Sequence, residues 1–300
     1  MPFALSLSKG QQRNVAISWC DTLTTDGDRG EMAAPVTRID AIRYARHERN
    51  AAANFAAPVD DHDLPMPLDY FVWAIHREGE PPVIVDTGFG EQAAVARGRI
   101  ITRPLIEGLR DAGIEALSVE HVILTHLHYD HAGSLSLFPN AKFHVQDAEL
   151  AWATSRKVCD QPTRAPFDGE PVAQLVRKLY ADHVVFHDGD DEFAPGISLR
   201  VCPGHTAGLQ VVCCETARGT VVLASDAAHL YANVTRSLPF PIFVDEADYR
   251  EAQARALELA GGSLDHLIPG HDPLVLTCFP SENDIARVDL APLVPIAQSQ

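Results

Sequence analysis

From Val36 onward, apolar and polar positions fall into the short alternating runs of strands and the three-to-four-residue spacing of helices. Residues 36–46, around Ile39 and Ile42, read as a first strand. Tyr70–His76 and Pro82–Val85 read as two more, the latter closed by the turn Asp86-Thr87-Gly88. Leu105, Leu109 and Ile114 recur at helical spacing and predict a helix over 103–113. His121–Thr125 is a short apolar strand, Ala141–Val145 another, and the stretch Asp147–Ala153 starts a helix. Residues 155–170 are polar and interrupted by proline, and a helix follows over 171–181. Strands are predicted near 183–187, 197–202, 209–215 and 220–224. The Ala-rich stretch 246–260 predicts a helix stopped by Gly261-Gly262. Leu264–Ile268 is the last strand. Strands come first in meanders and later alternate with helices, which fits an α/β fold of two helix-covered sheets, a four-layer αβ/βα sandwich, better than one doubly wound sheet.

This pattern divides the chain into a poorly ordered extension over 1–34, one domain over 35–290 and a tail over 291–300. A chain starting at Met32 is therefore expected to fold.

Composition narrows the partners. The formal charge is −17, from 41 acidic against 24 basic residues, and only four of the basic residues are lysines. With no basic cluster along the sequence, nucleic acid and anionic membranes are excluded as partners. The same balance leaves no evident anchor for a strongly anionic substrate. Cys20, Cys159, Cys202, Cys213, Cys214 and Cys278 form no CxxC pair and read as reduced thiols of a cytoplasmic protein. No apolar run approaches the roughly 18 residues needed to cross a bilayer, and the first residues lack the basic start of a signal peptide.

The chemistry concentrates in Thr125–Gly133, T-H-L-H-Y-D-H-A-G. His126 and His128 lie two apart and can share one side of an extended segment. A turn into a helix would carry Asp130 and His131 to a neighbouring position. A lone HxH arises easily among fourteen histidines, but HxHxDH directly after a buried strand is far more specific. Three further candidates each follow an apolar strand: His205 in Pro203-Gly204-His205-Thr206, Asp226 after Val221–Ser225, and His271 in Pro269-Gly270-His271. Imidazole and carboxylate in this combination suit Zn²⁺, or Mn, Fe or Co. His121, His144 and His187 lack ligand partners at suitable spacing and read as structural.

Over residues 36–275 these motifs resemble the metallo-β-lactamase superfamily: the early Asp86-Thr87-Gly88, HxHxDH, the Gly-His-Thr turn, the isolated Asp226 and the final Gly-His. The resemblance implies two divalent metal ions. His126, His128 and His205 would hold one, Asp130, His131 and His271 the other, with Asp226 bridging. It also implies that Asp86 is buried and orients the site without being a ligand.

Within that superfamily the chain is most similar to N-acyl homoserine lactonases, which carry a tyrosine three residues after the bridging aspartate. Here His229 stands at that position and Tyr231 two further on. The implied reaction is opening of a lactone ring by a hydroxide shared between the ions. Asp130 would return the proton to the leaving alkoxide, and His229 or Tyr231 would hold the carbonyl. An uncharged small-molecule lactone or ester with an apolar tail is the expected substrate. Specificity would come from loops near 54–70, 152–170 and 229–245, and the protein could act as a homodimer. The competing readings are another hydrolase of this fold, acting on a thioester, β-lactam or organophosphate, and a mononuclear iron sulfur dioxygenase.

Overall fold

A computed structural model describes residues 36–299. The expected N-terminal extension, Met32 and Cys20 lie outside the described residues.

The strands are β1 (Val36–His47), β2 (Leu68–Arg77), β3 (Val83–Val85), β4 (Ile100–Ile101), β5 (His121–Ile123), β6 (Lys142–Gln146) and β7 (Val184–His187). They continue with β8 (Asp191–Ala194), β9 (Ile197–Val201), β10 (Gln210–Thr216), β11 (Gly219–Ser225), β12 (Leu267–Pro269), β13 (Ser281–Glu282) and β14 (Ile285–Arg287). One mixed sheet runs β13-β14-β1-β2-β3-β5-β6-β7, with β4 paired to β1, and the other runs β12-β11-β10-β9-β8. The helices are α1 (Glu91–Arg97), α2 (Leu105–Asp111), α3 (Tyr129–Ala132), α4 (Asp147–Ala153), α5 (Gln161–Arg164), α6 (Gly169–Leu179), α7 (Tyr231–Thr235), α8 (Glu246–Leu259) and α9 (Leu274–Cys278).

Strand alternation builds the layers. Along β2, Phe71, Trp73 and Ile75 point between the sheets, whereas Tyr70, Val72 and Ala74 point to the outer helices. Along β11, Val221 and Leu223 point inward, while Val222 and Ala224 pack under Ala252, Ala256 and Ala260 from the α8 side. Leu109 of α2, Leu150 of α4 and Leu175 of α6 cover the opposite outer face. This is the four-layer sandwich that the pattern predicts. Cys213 and Cys214 fall on opposite faces of β10, and all five described cysteines are unpaired, Cys159 exposed and the others buried. Burial pushes the Cys202 thiol up to about 12 and Cys213 to about 11. No helix among the described residues is long and apolar enough to cross a membrane.

Short elements escaped the sequence pattern: α1, α7, α9, β4, β8 and the β13–β14 hairpin. The stretch expected as a tail is described to Ser299. In it Ile296 is fully buried between the sheets, and its amide donates to Asp265.

Strand direction decides where the candidate residues meet. β3 and β5 are parallel, so Asp86 and Thr125 leave the first sheet at the same edge. β9 and β11 both run antiparallel to β10, and β12 runs parallel to β11. His205, Asp226 and His271 therefore leave the second sheet at one edge as well.

Candidate metal centre

His128 is the residue at which the extended chain turns into α3, which places Asp130 and His131 in its first turn. The rings of His126 and His128 lie 4.6 Å apart, and those of His126 and His131 4.1 Å. Asp226 sits between the two halves with its oxygens divided. Oδ2 is 3.7 Å from His126 Nε2 and 3.2 Å from His205 Nε2, while Oδ1 is 3.3 Å from His131 Nε2 and 3.0 Å from His271 Nε2. His128 Nδ1 lies 3.0 Å from His205 Nε2. Ligand atoms thus gather into one group from His126, His128, His205 and Asp226, a second from Asp130, His131 and His271, and a third that joins His229 to Asp226 and His271.

The opposite ring nitrogens show which atoms are free to bind a cation. His205 Nδ1 donates to the Ile242 carbonyl (2.7 Å), His271 Nδ1 to the Asp69 carbonyl (3.1 Å) and His131 Nδ1 to Asp86 (2.7 Å). An acceptor on Nδ1 fixes the proton there and leaves the Nε2 lone pair facing the cluster, the arrangement usual for metal-ligating imidazoles. His126 Nε2, His131 Nε2 and Asp226 Oδ1 are buried without a hydrogen-bond partner. Buried acceptors with no donor between them are costly unless a cation joins them. Burial pushes His126 and His128 far down, keeping both neutral. Burial also opposes charge on His131, but Asp226, Asp86 and Asp130 outweigh it and raise its pKa, so the field there calls for positive charge. The donor set therefore fits divalent metal ions.

Supporting residues hold this geometry. Asp86, with φ at +66°, accepts the Thr125 amide at 2.8 Å as well as His131, and Thr125 Oγ1 meets Ser225 Oγ at 2.9 Å. Ser225 also has positive φ, +46°, so two non-glycine residues carry backbone strain directly beside the cluster. Two glycines are required by close approach. A Cβ on Gly204 (φ +125°) would lie 2.2 Å from the Tyr249 amide nitrogen, and one on Gly270 would lie 2.7 Å from Asp226 Oδ1. Glu149 of α4, which the sequence reading missed, is fully buried and accepts the Leu127 amide at 2.9 Å and the Gly208 amide at 3.0 Å. No local signal marks Glu149, because its partners lie 22 and 59 residues away.

A cavity of about 200 Å³ opens onto Asp130, Asp226, His229 and His271, walled by Leu68, Tyr70, Tyr129, Phe240 and Ile242. Parts of all three expected loops reach it, with Ala165 and Pro166 from the second. His229 Nε2 is 2.9 Å from Asp226 Oδ2, and its ring stacks on Phe240 at 3.8 Å. Tyr231 is a correction: it begins α7, is fully buried between the sheets, and does not line the cavity. The chain becomes helical at Tyr231, so strand alternation no longer keeps it on the side of His229. A second correction concerns charge. Arg49, Arg97 and Arg99 converge on this cavity although the sequence shows no basic cluster.

His121, His144 and His187 meet away from the cluster. His187 Nδ1 donates to Asp191 (2.7 Å), and consecutive rings are linked at 3.0 Å from His187 to His144 and from His144 to His121.

The profile of the Metallo-beta-lactamase superfamily matches residues 66–271. An N-acyl homoserine lactonase from a Bacillus species is 30% identical over 196 residues, covering 60% of this chain and 72% of that protein. The crystal structure of a quorum-quenching N-acyl homoserine lactone lactonase superposes with a TM-score of 0.67 at 25% identity, over 81% of this chain and 95% of that one. A structure of N-acyl homoserine lactone hydrolase with N-hexanoyl-L-homoserine bound at its catalytic metal centre gives 0.66 at 24% identity, over 80% and 95%. The family model spans more than half of the chain and both histidine-bearing sheet edges, and the chain belongs to the metallo-beta-lactamase superfamily as a metal-dependent hydrolase.

Proposed function

We propose that this hydrolase opens lactone rings of the N-acyl homoserine lactone type with two divalent ions, Zn²⁺ foremost, Mn, Fe and Co being alternatives that the same donors accept. The observation that supports this most is the division of Asp226, with Oδ2 toward His126 and His205 and Oδ1 toward His131 and His271. His126, His128 and His205 would hold one ion, and Asp130, His131 and His271 the other, with Asp226 between them. When bound, such a pair supplies a water acidified toward neutrality and a Lewis acid for the carbonyl oxygen.

The chain's own groups do the rest. His229 Nε2 faces the Asp226 carboxylate at 2.9 Å, an acceptor only, so Nδ1 is left to accept from the Tyr249 hydroxyl at 2.8 Å. His229 Nε2 then carries a hydrogen, directed at Asp226 and the cavity, and can donate to a lactone carbonyl as the lactonase tyrosine does in the resemblance drawn above. Asp130 is partly exposed at the cavity wall, which supports its role of moving a proton to the leaving alkoxide. The adjoining cleft of Trp152, Phe167, Ile242 and Phe243 shares His128 and His205 with the cavity and suits an acyl tail. The deciding experiment measures metal per chain and lactone ring opening on one sample. Two ions with ring opening support the reading; one ion, or two ions without activity on any lactone, overturns it.

A further inference from the structure

Arg49, Arg97 and Arg99 all line the cavity over the metal ligands, yet they are not equivalent. Arg97 pairs with Asp168 at 2.6 Å and lies 3.9 Å over the Tyr129 ring, so its charge is compensated. Arg49 and Arg99 have no carboxylate within ion-pair distance among the described residues. Arg49 donates to the Ala53 carbonyl and lies 5.1 Å from the Phe240 ring. Arg99 donates to the Tyr129 hydroxyl at 3.0 Å, to the Arg97 carbonyl and to His47 Nε2 at 3.2 Å. Burial, Arg99 and Arg49 together push His47 down to about 4, so it is neutral and offers no counter-charge. Asp130 in the same cavity attracts Arg99 from beyond ion-pair distance, but it is grouped with His131 and His271 as a candidate ligand, so in a chain of net charge −17 neither half-buried guanidinium has a carboxylate of its own.

We propose that Arg49 and Arg99 form an anion subsite, and that the lactone carries, on its side group, a carboxylate or phosphate in addition to its apolar part, which these two guanidiniums hold while the ring lies at the metal ligands. The proposal rests on the lactone reading and replaces the uncharged substrate expected from composition. Guanidinium geometry matches both carboxylate and phosphate oxygens. Both side chains are pinned by neutral acceptors, His47, Tyr129 and two carbonyls. They are therefore held in place before the anion arrives, which lowers the entropic cost of binding.

The test compares γ-lactones of one size whose side group is a carboxylate, a phosphate or a neutral carboxamide, on the metal-loaded enzyme. The carboxylate or the phosphate should exceed the carboxamide in kcat/KM by about tenfold to a hundredfold, as charge-assisted hydrogen bonds imply, with the gain in KM. Whichever is preferred identifies the anion. Arg49→Gln/Arg99→Gln should bring the ratio close to one, and Arg99→Lys should restore part of it to Arg99→Gln. In the wild type, KM for the anionic lactone should rise between about 0.05 and about 0.5 M salt while that for the carboxamide holds. A ratio within twofold in the wild type overturns the proposal, as does a preference that survives in the double variant. If no lactone reacts, the lactone reading fails. The subsite is then judged by equilibrium binding of glutarate against butyrate, because the second carboxylate needs the arginines. A wild-type preference for glutarate of about tenfold that disappears in the double variant keeps the subsite; equal binding sinks it. Should the double variant not fold, the salt dependence and the glutarate preference of the wild type decide alone.

Discussion

Glu149→Gln tests whether the site is held from outside its ligands. Glu149 is fully buried, and its two oxygens accept amides from Leu127, between His126 and His128, and from Gly208, three residues after His205. It therefore ties the HxH turn of the first sheet to the His205 turn of the second. Glutamine has one acceptor where glutamate has two, so one of the amides must face an NH₂ group. An unsatisfied buried donor costs about 1–3 kcal/mol. Partly offsetting this, burial raises the Glu149 pKa, which shows that the charged form is itself held against desolvation. Stability should fall by no more than about 3 kcal/mol, leaving a folded protein. The larger effect should be on the metal. Groups that orient ligands typically change affinity by about tenfold to a hundredfold, and this one fixes two ligand-bearing turns. Chelator competition on the folded variant measures that affinity, and urea unfolding of the metal-free protein measures stability separately. Affinity within twofold of wild type, beside the expected loss of stability, would refute the positioning argument and leave Glu149 a purely structural carboxylate.

Asp226→Ala removes the carboxylate that faces both ligand groups; metal content should fall well below wild type and hydrolysis should cease, and near-normal turnover would exclude a two-ion mechanism. Phe243→Ala opens the cleft beside His128. KM should rise more for long-chain than for short-chain lactones, since each buried CH₂ contributes about 0.8 kcal/mol, whereas equal changes would argue against an acyl cleft. Phe240→Ala is a less clean test, because that ring also stacks on His229. His144 gives a pH prediction away from the metal ligands. Burial, His187 and His121 push its pKa down to about 3, against 6.5 for the unfolded chain. As pH falls, the unfolded chain takes up this proton first, so stability present above pH 6.5 is lost progressively toward pH 3. At pH about 5 this group alone accounts for about 2 kcal/mol. His144→Phe should reduce the difference in unfolding free energy between neutral pH and pH 5 by an amount of that order, and an unchanged difference would place the acid sensitivity elsewhere.

What the sequence determined lies at strand ends. His126, His128, Asp130, His131, His205, Asp226 and His271 were legible because each follows a short apolar run, and strand direction then brings such positions to one sheet edge. Cys213 and Cys214 were legible for the same reason, since alternation alone sends neighbours to opposite faces. The start of α7 was not legible: a helix of five residues is too short to show a period, so Tyr231 was expected at the cavity and lies in the inter-sheet core. Glu149 and the Arg49–Arg99 pair needed the tertiary structure, because their meaning lies in partners absent from the local sequence. Net charge gave the opposite impression at the cavity. It sums over the whole surface, whereas a substrate meets only the field of the few groups that folding brings beside it.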